Sequence, residues 1–152
     1  MPIKLLTHMV CIVAVATVSL PVTAEEAAPS LLQPEEVSQI AGQMFQSYQA
    51  GNVNGMLAAE DGCWKKAIRG KKIDKKLVAT CTTAAMSGAF IEAAYARQQW
   101  RGAHPSYTGK AVRARLEQRT GFDDKQAEEI LVDTVQANLG AMFAGLQGAG
   151  MP

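Results

Sequence analysis

The sequence predicts an all-α protein, a small bundle of about five helices with one disulfide across a helix hairpin. Three observations carry that expectation. The chain is rich in Ala and poor in β-branched runs, which favours helices. No alternating apolar and polar stretch bounded by turn dipeptides marks a strand. Two cysteines stand at matching distances on either side of a glycine-lysine break.

Residues 1–24 read as a cleaved export signal. Lys4 supplies a positive start, Leu5 to Leu20 is almost wholly apolar, and Pro21 breaks the helix. Val22-Thr23-Ala24 then places small residues around a cleavage site after Ala24. A membrane anchor would need a longer run without Pro21. A lipid anchor would need its cysteine at the end of the apolar run, and Cys11 lies inside it. The expected location is therefore periplasmic or secreted, with no transmembrane span once the signal is gone. Nucleotide and nucleic-acid chemistry become poor candidates there, and the chain has no glycine-rich phosphate loop or dinucleotide fingerprint.

Residues 25–33 form a polar lead-in, expected to be flexible, before a single helical domain over 34–147 and a flexible tail over 148–152. Pro34 suits the first turn of a helix. Val37, Ile40, Ala41, Met44, Phe45 and Tyr48 follow at helical spacing up to a stop at Gly51. A second helix is expected from Asn52 or Asn54 to Arg69, with Val53, Leu57, Trp64, Ala67 and Ile68 inward and Gly62 as a weak point. The third and longest helix is expected from about Ile73 to Trp100. Its small residues Ala85, Gly88, Ala89, Ala93 and Ala96 would let neighbours approach closely. That face is apolar enough to resemble a membrane segment, but Glu92, Arg97 and the flanking lysines point to burial in a bundle. Arg101 to Gly109 reads as the main loop. A short helix over about Lys110 to Arg119 follows, ended by Thr120-Gly121.

The last helix is expected from Asp123, capped with the help of Gln126, and buries Ile130, Leu131, Val135, Leu139, Met142, Phe143 and Leu146. Gly145, Gly148 and Gly150 are expected to dissolve it. The stretch from Arg115 to Ala137 resembles helix hairpins of several small helical families, including the opening hairpin of histone-like DNA-binding proteins. The likeness rests on an Arg/Leu helix, the Thr120-Gly121 stop, the Asp123 cap, Ala127 and Ile130-Leu131. The basic arms that grip DNA in that family have no counterpart, so it implies no function here.

With the signal removed, Cys63 and Cys81 remain, and in an oxidising compartment an isolated pair reads as a disulfide. In an antiparallel hairpin turning near Gly70, positions whose numbers sum to about 144 face each other, and this pair does so. The alternatives are two free buried thiols, a redox pair lacking C-x-x-C, or a zinc site lacking a nearby histidine.

Charge is segregated along the chain. Glu25 to Asp61 holds six acids and no Lys or Arg, while Lys65 to Arg119 holds thirteen basic residues against Asp74, Glu92 and Glu117. Beyond Thr120 acids dominate again. Lys65, Lys66, Arg69, Lys71, Lys72, Lys75 and Lys76 crowd the hairpin tip. They form a candidate site for an anionic envelope component or an acidic partner protein, or else a solvated tip paired with the acidic helices.

Catalytic signals are weak. His104 is the one histidine after the signal, and neither G-x-S-x-G nor H-E-x-x-H occurs. The acid pairs Glu35-Glu36, Asp123-Asp124 and Glu128-Glu129 suit helix starts. Glu92 is the candidate buried acid. It shares a stripe with Cys81, Ala85 and Gly88 and faces residue 52 in the hairpin register. There it would either carry a raised pKa or accept backbone N–H groups, or pair with Arg97 or another arginine. Trp100, Arg101, His104 and Tyr107 make the main loop the candidate recognition surface. The expected function is a non-catalytic binding protein of the cell envelope with no metal or cofactor. Its expected partner is a protein or an anionic envelope component, not nucleic acid, and a homodimer is open. The first alternative is an immunity or inhibitor protein against a secreted cell-wall-degrading effector, whose small, exported, helical, disulfide-bonded format is similar. The second is a small hydrolase using Glu92 or Glu60 as acid.

Overall fold

Pro34 opens the first helix in a computed structural model that describes residues 30–70, 72–136 and 138–152. The expected export signal over residues 1–24, residues 25–29 of the lead-in, Lys71, Ala137 and the side chains of Val135 and Gln136 lie outside the described residues. Helix α1 spans Pro34–Ala67, and the Glu36 carboxylate accepts the Gln33 N–H at its start. The expected stop at Gly51 is a sharp corner within that run: Gly51 (φ −151°, ψ 18°) and Asn52 (φ 52°, ψ −143°) leave helical geometry. Beyond the corner the chain crosses itself so closely that a Cβ on Gly55 would sit 2.1 Å from the Ser47 carbonyl oxygen. Only a residue without a side chain fits that crossing. Gly62, the expected weak point, stays helical.

The second half of α1 stops at Ala67, two residues short of the expected Arg69. The reason is a short antiparallel ribbon, β1 (Ile68–Arg69) with β2 (Lys72–Ile73), in which Ile68 pairs with Ile73 and Arg69 with Lys72. Gly70, at φ 65°, supplies the left-handed turn residue. Helix α2 accordingly begins at Lys75 and not at Ile73, with the Asp74 carboxylate accepting the Leu77 N–H, and runs to Gln98. By length and composition α2 could cross a membrane, yet 61% of its most apolar window is buried inside the bundle.

The Cys63–Cys81 disulfide joins α1 to α2 with their Cα atoms 5.6 Å apart, in the register expected for the hairpin. The bridge is compatible with an oxidising compartment. Around it Trp64, Val78, Leu116, Ala127 and Ile130 form one core. A second, larger core gathers Val37, Phe45, Met56, Ile91, Met142 and Leu146.

A 3₁₀ turn at Pro105–Tyr107 precedes α3 (Gly109–Thr120), which the Thr108 hydroxyl caps. Gly121 ends α3 in the left-handed region, and α4 (Asp124–Leu131) starts on the expected Asp123–Gln126 capping box. The last helix is not continuous. A π-helical turn at Val132–Gln136 separates α4 from α5 (Leu139–Gly148). The break lets Ile130 reach the disulfide core while Met142 and Leu146 reach the other core. Leu139 and Phe143, expected in one buried stripe, are consequently 37% and 40% exposed. Gly145 does not end α5 but packs tightly on Ser38 of α1. Beyond Gly148 the chain turns back, the Met151 N–H bonding the Leu146 carbonyl.

Candidate functional site

The main loop is held from beneath by two buried glutamates, one from each long helix. Glu92 of α2 is fully buried, and its carboxylate accepts both terminal nitrogens of Arg101 and, at 2.8 Å, the His104 backbone N–H. The sequence register placed Glu92 opposite residue 52. Its partners lie instead in the loop that follows its own helix, because α2 ends at Gln98 and the chain folds back over the Glu92 side chain. Burial pushes the Glu92 pKa up. The Arg101 hydrogen bonds, the His104 N–H and the Arg101 charge more than offset this, and the net value lies below the ordinary 4.5. Glu92 is thus held as an anion, and the raised-pKa reading is corrected.

Glu60 of α1, 2% exposed, anchors the far end of the loop. It accepts Arg115 Nε at 2.7 Å, Arg115 Nη2 at 3.2 Å and Trp64 Nε1 at 3.2 Å. Arg115 also donates to the Ser106 carbonyl and stacks over the Tyr107 ring, 5.4 Å from its centroid. The sequence named Glu60 only as a hydrolase alternative and overlooked its place in the core. A signal was present: Met56, Glu60, Trp64 and Ala67 recur at helical spacing, and all four are buried.

Tyr107, expected as a recognition residue, is corrected to a core residue at 2% exposure. Its ring lies against Gly88, where an added Cβ would come within 2.4 Å of the ring edge. This close approach is the purpose of Gly88 on the small-residue face of α2. Burial, then the nearby Glu60 carboxylate, pushes the Tyr107 pKa far up, so the phenol stays protonated.

What the loop presents to solvent is Trp100, 97% exposed. Its N–H bonds the Arg97 carbonyl and the Arg101 N–H bonds the Ala96 carbonyl, the paired bonds of a Schellman cap. Trp100 therefore occupies the left-handed position, φ 53°, where helices ordinarily place glycine. Arg101 and His104 flank it, both exposed as residues.

The basic tip divides into two groups. Lys65 pairs with Asp61 and Lys76 with Glu36, so part of the basic block is answered by the acidic start of the chain. Among the described residues no ion pair engages Lys66, Arg69, Lys72 or Lys75. Lys66, Arg69 and Lys72 line one concavity of about 290 Å³ at the ribbon. No group of three or more His, Cys, Asp or Glu among the described residues could hold a metal ion.

The Glu92 anion has a pH consequence. A folded-state pKa below the unfolded value contributes stability above the unfolded pKa, and that contribution is lost as pH falls through the folded pKa. Unfolding stability is expected to decline as pH drops below about 4.5. Glu92→Gln should flatten that part of the profile, whatever its effect at neutral pH. Urea midpoints between pH 7 and pH 3 check this, and parallel profiles for the two proteins would refute it.

In comparisons with known proteins, no protein-family model, no curated protein and no solved structure matches the chain.

Proposed function

We propose that this chain is an exported, non-catalytic binding protein of the cell envelope that engages a protein partner through Trp100. The observation that carries the reading is a fully exposed tryptophan on a left-handed residue, at a loop tied down by Glu92 and Glu60. A bulky residue at this backbone position costs roughly 1–2 kcal/mol relative to glycine. An exposed aromatic held there at a cost to stability fits a binding anchor, and interface hot spots are rich in Trp and Arg. The export signal in residues 1–24 and the disulfide support the envelope location.

A second reading, an immunity or inhibitor protein against a secreted cell-wall-degrading effector, draws on the same loop. Its shape is set before any partner arrives, which lowers the ordering cost of plugging a cleft. The hydrolase alternative gains no support: Glu60 and Glu92 each bind an arginine, and an ionised Glu92 has no proton to donate.

Trp100→Gly separates anchor from scaffold. It is expected to raise stability by about 1 kcal/mol, because glycine accepts the left-handed position freely. It should also weaken partner binding by about 2 kcal/mol or more. Thermal unfolding reads the first effect. Parallel pull-downs from envelope extract, with wild-type and variant baits, read the second. Capture of the same proteins in the same yield by both baits would sink the reading.

A further inference from the structure

The disulfide hairpin carries a second feature, away from Trp100. A groove of about 400 Å³ runs between the two halves of α1 and the start of α2. One wall carries Ile40 and Met44, the floor holds Leu77 and Ala84, and the facing wall is Ala59 and Gly62. The small side chains of that last wall leave the space open, where a packed bundle would place larger residues. The volume lies within the range of small-molecule sites.

This groove adjoins the basic concavity at the ribbon, since Lys66 and Leu77 line both. An apolar trough thus runs into a recess lined by Lys66, Arg69 and Lys72. The one acid there, Asp74, has its carboxylate engaged by the Leu77 N–H at 3.1 Å. Lys75 and Lys76 occupy the first turn of α2, where the helix dipole disfavours cations. Neither lines the recess, and Lys76 is paired with Glu36. The positive charge there comes from Lys66, Arg69 and Lys72, which no ion pair engages among the described residues and which a bound anion would satisfy.

We propose that the groove and recess form one site for a single-chain amphiphile with a phosphate headgroup, its alkyl chain in the groove and its phosphate at Lys66, Arg69 and Lys72. A guanidinium beside two ammonium groups suits phosphate, and the apolar trough offers a seat for an alkyl chain that free phosphate would leave empty.

Dodecyl phosphate, below its micelle concentration, is the probe, titrated calorimetrically into the disulfide-bonded protein. One molecule should bind per chain. Inorganic phosphate and the neutral-headed dodecyl maltoside should each bind at least about tenfold more weakly. Combining Lys66→Gln, Arg69→Gln and Lys72→Gln should cost about a hundredfold in affinity. Gly62→Leu fills the groove at a helical position where an added Cβ meets no atom within 4 Å. Leucine is the better helix former, so this variant should fold at least as stably while binding at least about tenfold more weakly. Trp100→Gly should leave the affinity unchanged, which keeps this site distinct from the partner surface. Undiminished binding in Gly62→Leu or in the triple variant overturns the proposal. So does equal binding of dodecyl maltoside, or adsorption only to anionic vesicles that Gly62→Leu leaves intact.

Discussion

Glu60→Ala is expected to lower the unfolding free energy by about 3–5 kcal/mol. The loss comes from what the substitution leaves behind. Arg115, whose side chain is only 20% exposed, would keep its charge without a counterion, and the buried Trp64 Nε1–H would lose its acceptor. The exposed pairs Lys65–Asp61 and Lys76–Glu36 should each contribute far less, because water solvates both partners. The same reasoning predicts a rescue. Adding Arg115→Met to Glu60→Ala removes the orphaned charge and keeps the apolar stem over Tyr107, so the double variant should be more stable than the single one. Urea unfolding of the four proteins in the cycle measures it. A Glu60→Ala cost below about 1 kcal/mol, or no recovery in the double variant, would show that the pair does not hold the loop.

Removal of the bridge is the second large effect. Replacing Cys63 and Cys81 together with alanine should cost about 3 kcal/mol, through the greater freedom of the unfolded chain. The two residues are 18 positions apart, so the closed loop is short and the effect is moderate for a disulfide. Trp64, Val78 and Leu116 still pack around the site, and the hairpin should keep its helices under native conditions. Denaturation with and without reductant gives the difference, and thiol counting on the unreduced protein freed of residues 1–24, and so of Cys11, should find no free cysteine. Two free thiols would contradict the bridge. An unchanged midpoint on reduction would show that packing alone sets the hairpin.

The legibility of this chain depended on how far apart in sequence the interacting groups lie. The Cys63–Cys81 register was readable because a hairpin fixes distances on both sides of its turn. The Asp123–Gln126 cap and the Gly121 stop were readable because helix ends are satisfied by residues within one turn. The ends of the ribbon were missed, since Ile68–Arg69 and Lys72–Ile73 are too short to show a strand period. The break between α4 and α5 left a signal in the sequence: at 3.6 residues per turn Ile130 and Leu146 fall on nearly opposite sides of a continuous helix, and they serve two cores.

The candidate sites divide the same way. Glu92 was identifiable as a buried acid from its apolar surroundings, but its arginine was not, because the choice depends on how residues 99–104 fold back over α2. Tyr107 and Trp100 sit in one loop with similar composition on both sides, and only the tertiary structure buries the first against Gly88 and exposes the second. The sequence alone determined the helical class, the hairpin and its staple, since these follow from periodicity and local geometry. The tertiary structure decided which acids hold the loop, which aromatic faces solvent, and that a groove opens beside the lysines. Glu60 and Arg115 meet across 55 residues, and Glu92 and Arg101, only nine apart, meet because the loop folds back over α2, which no helical or strand period encodes.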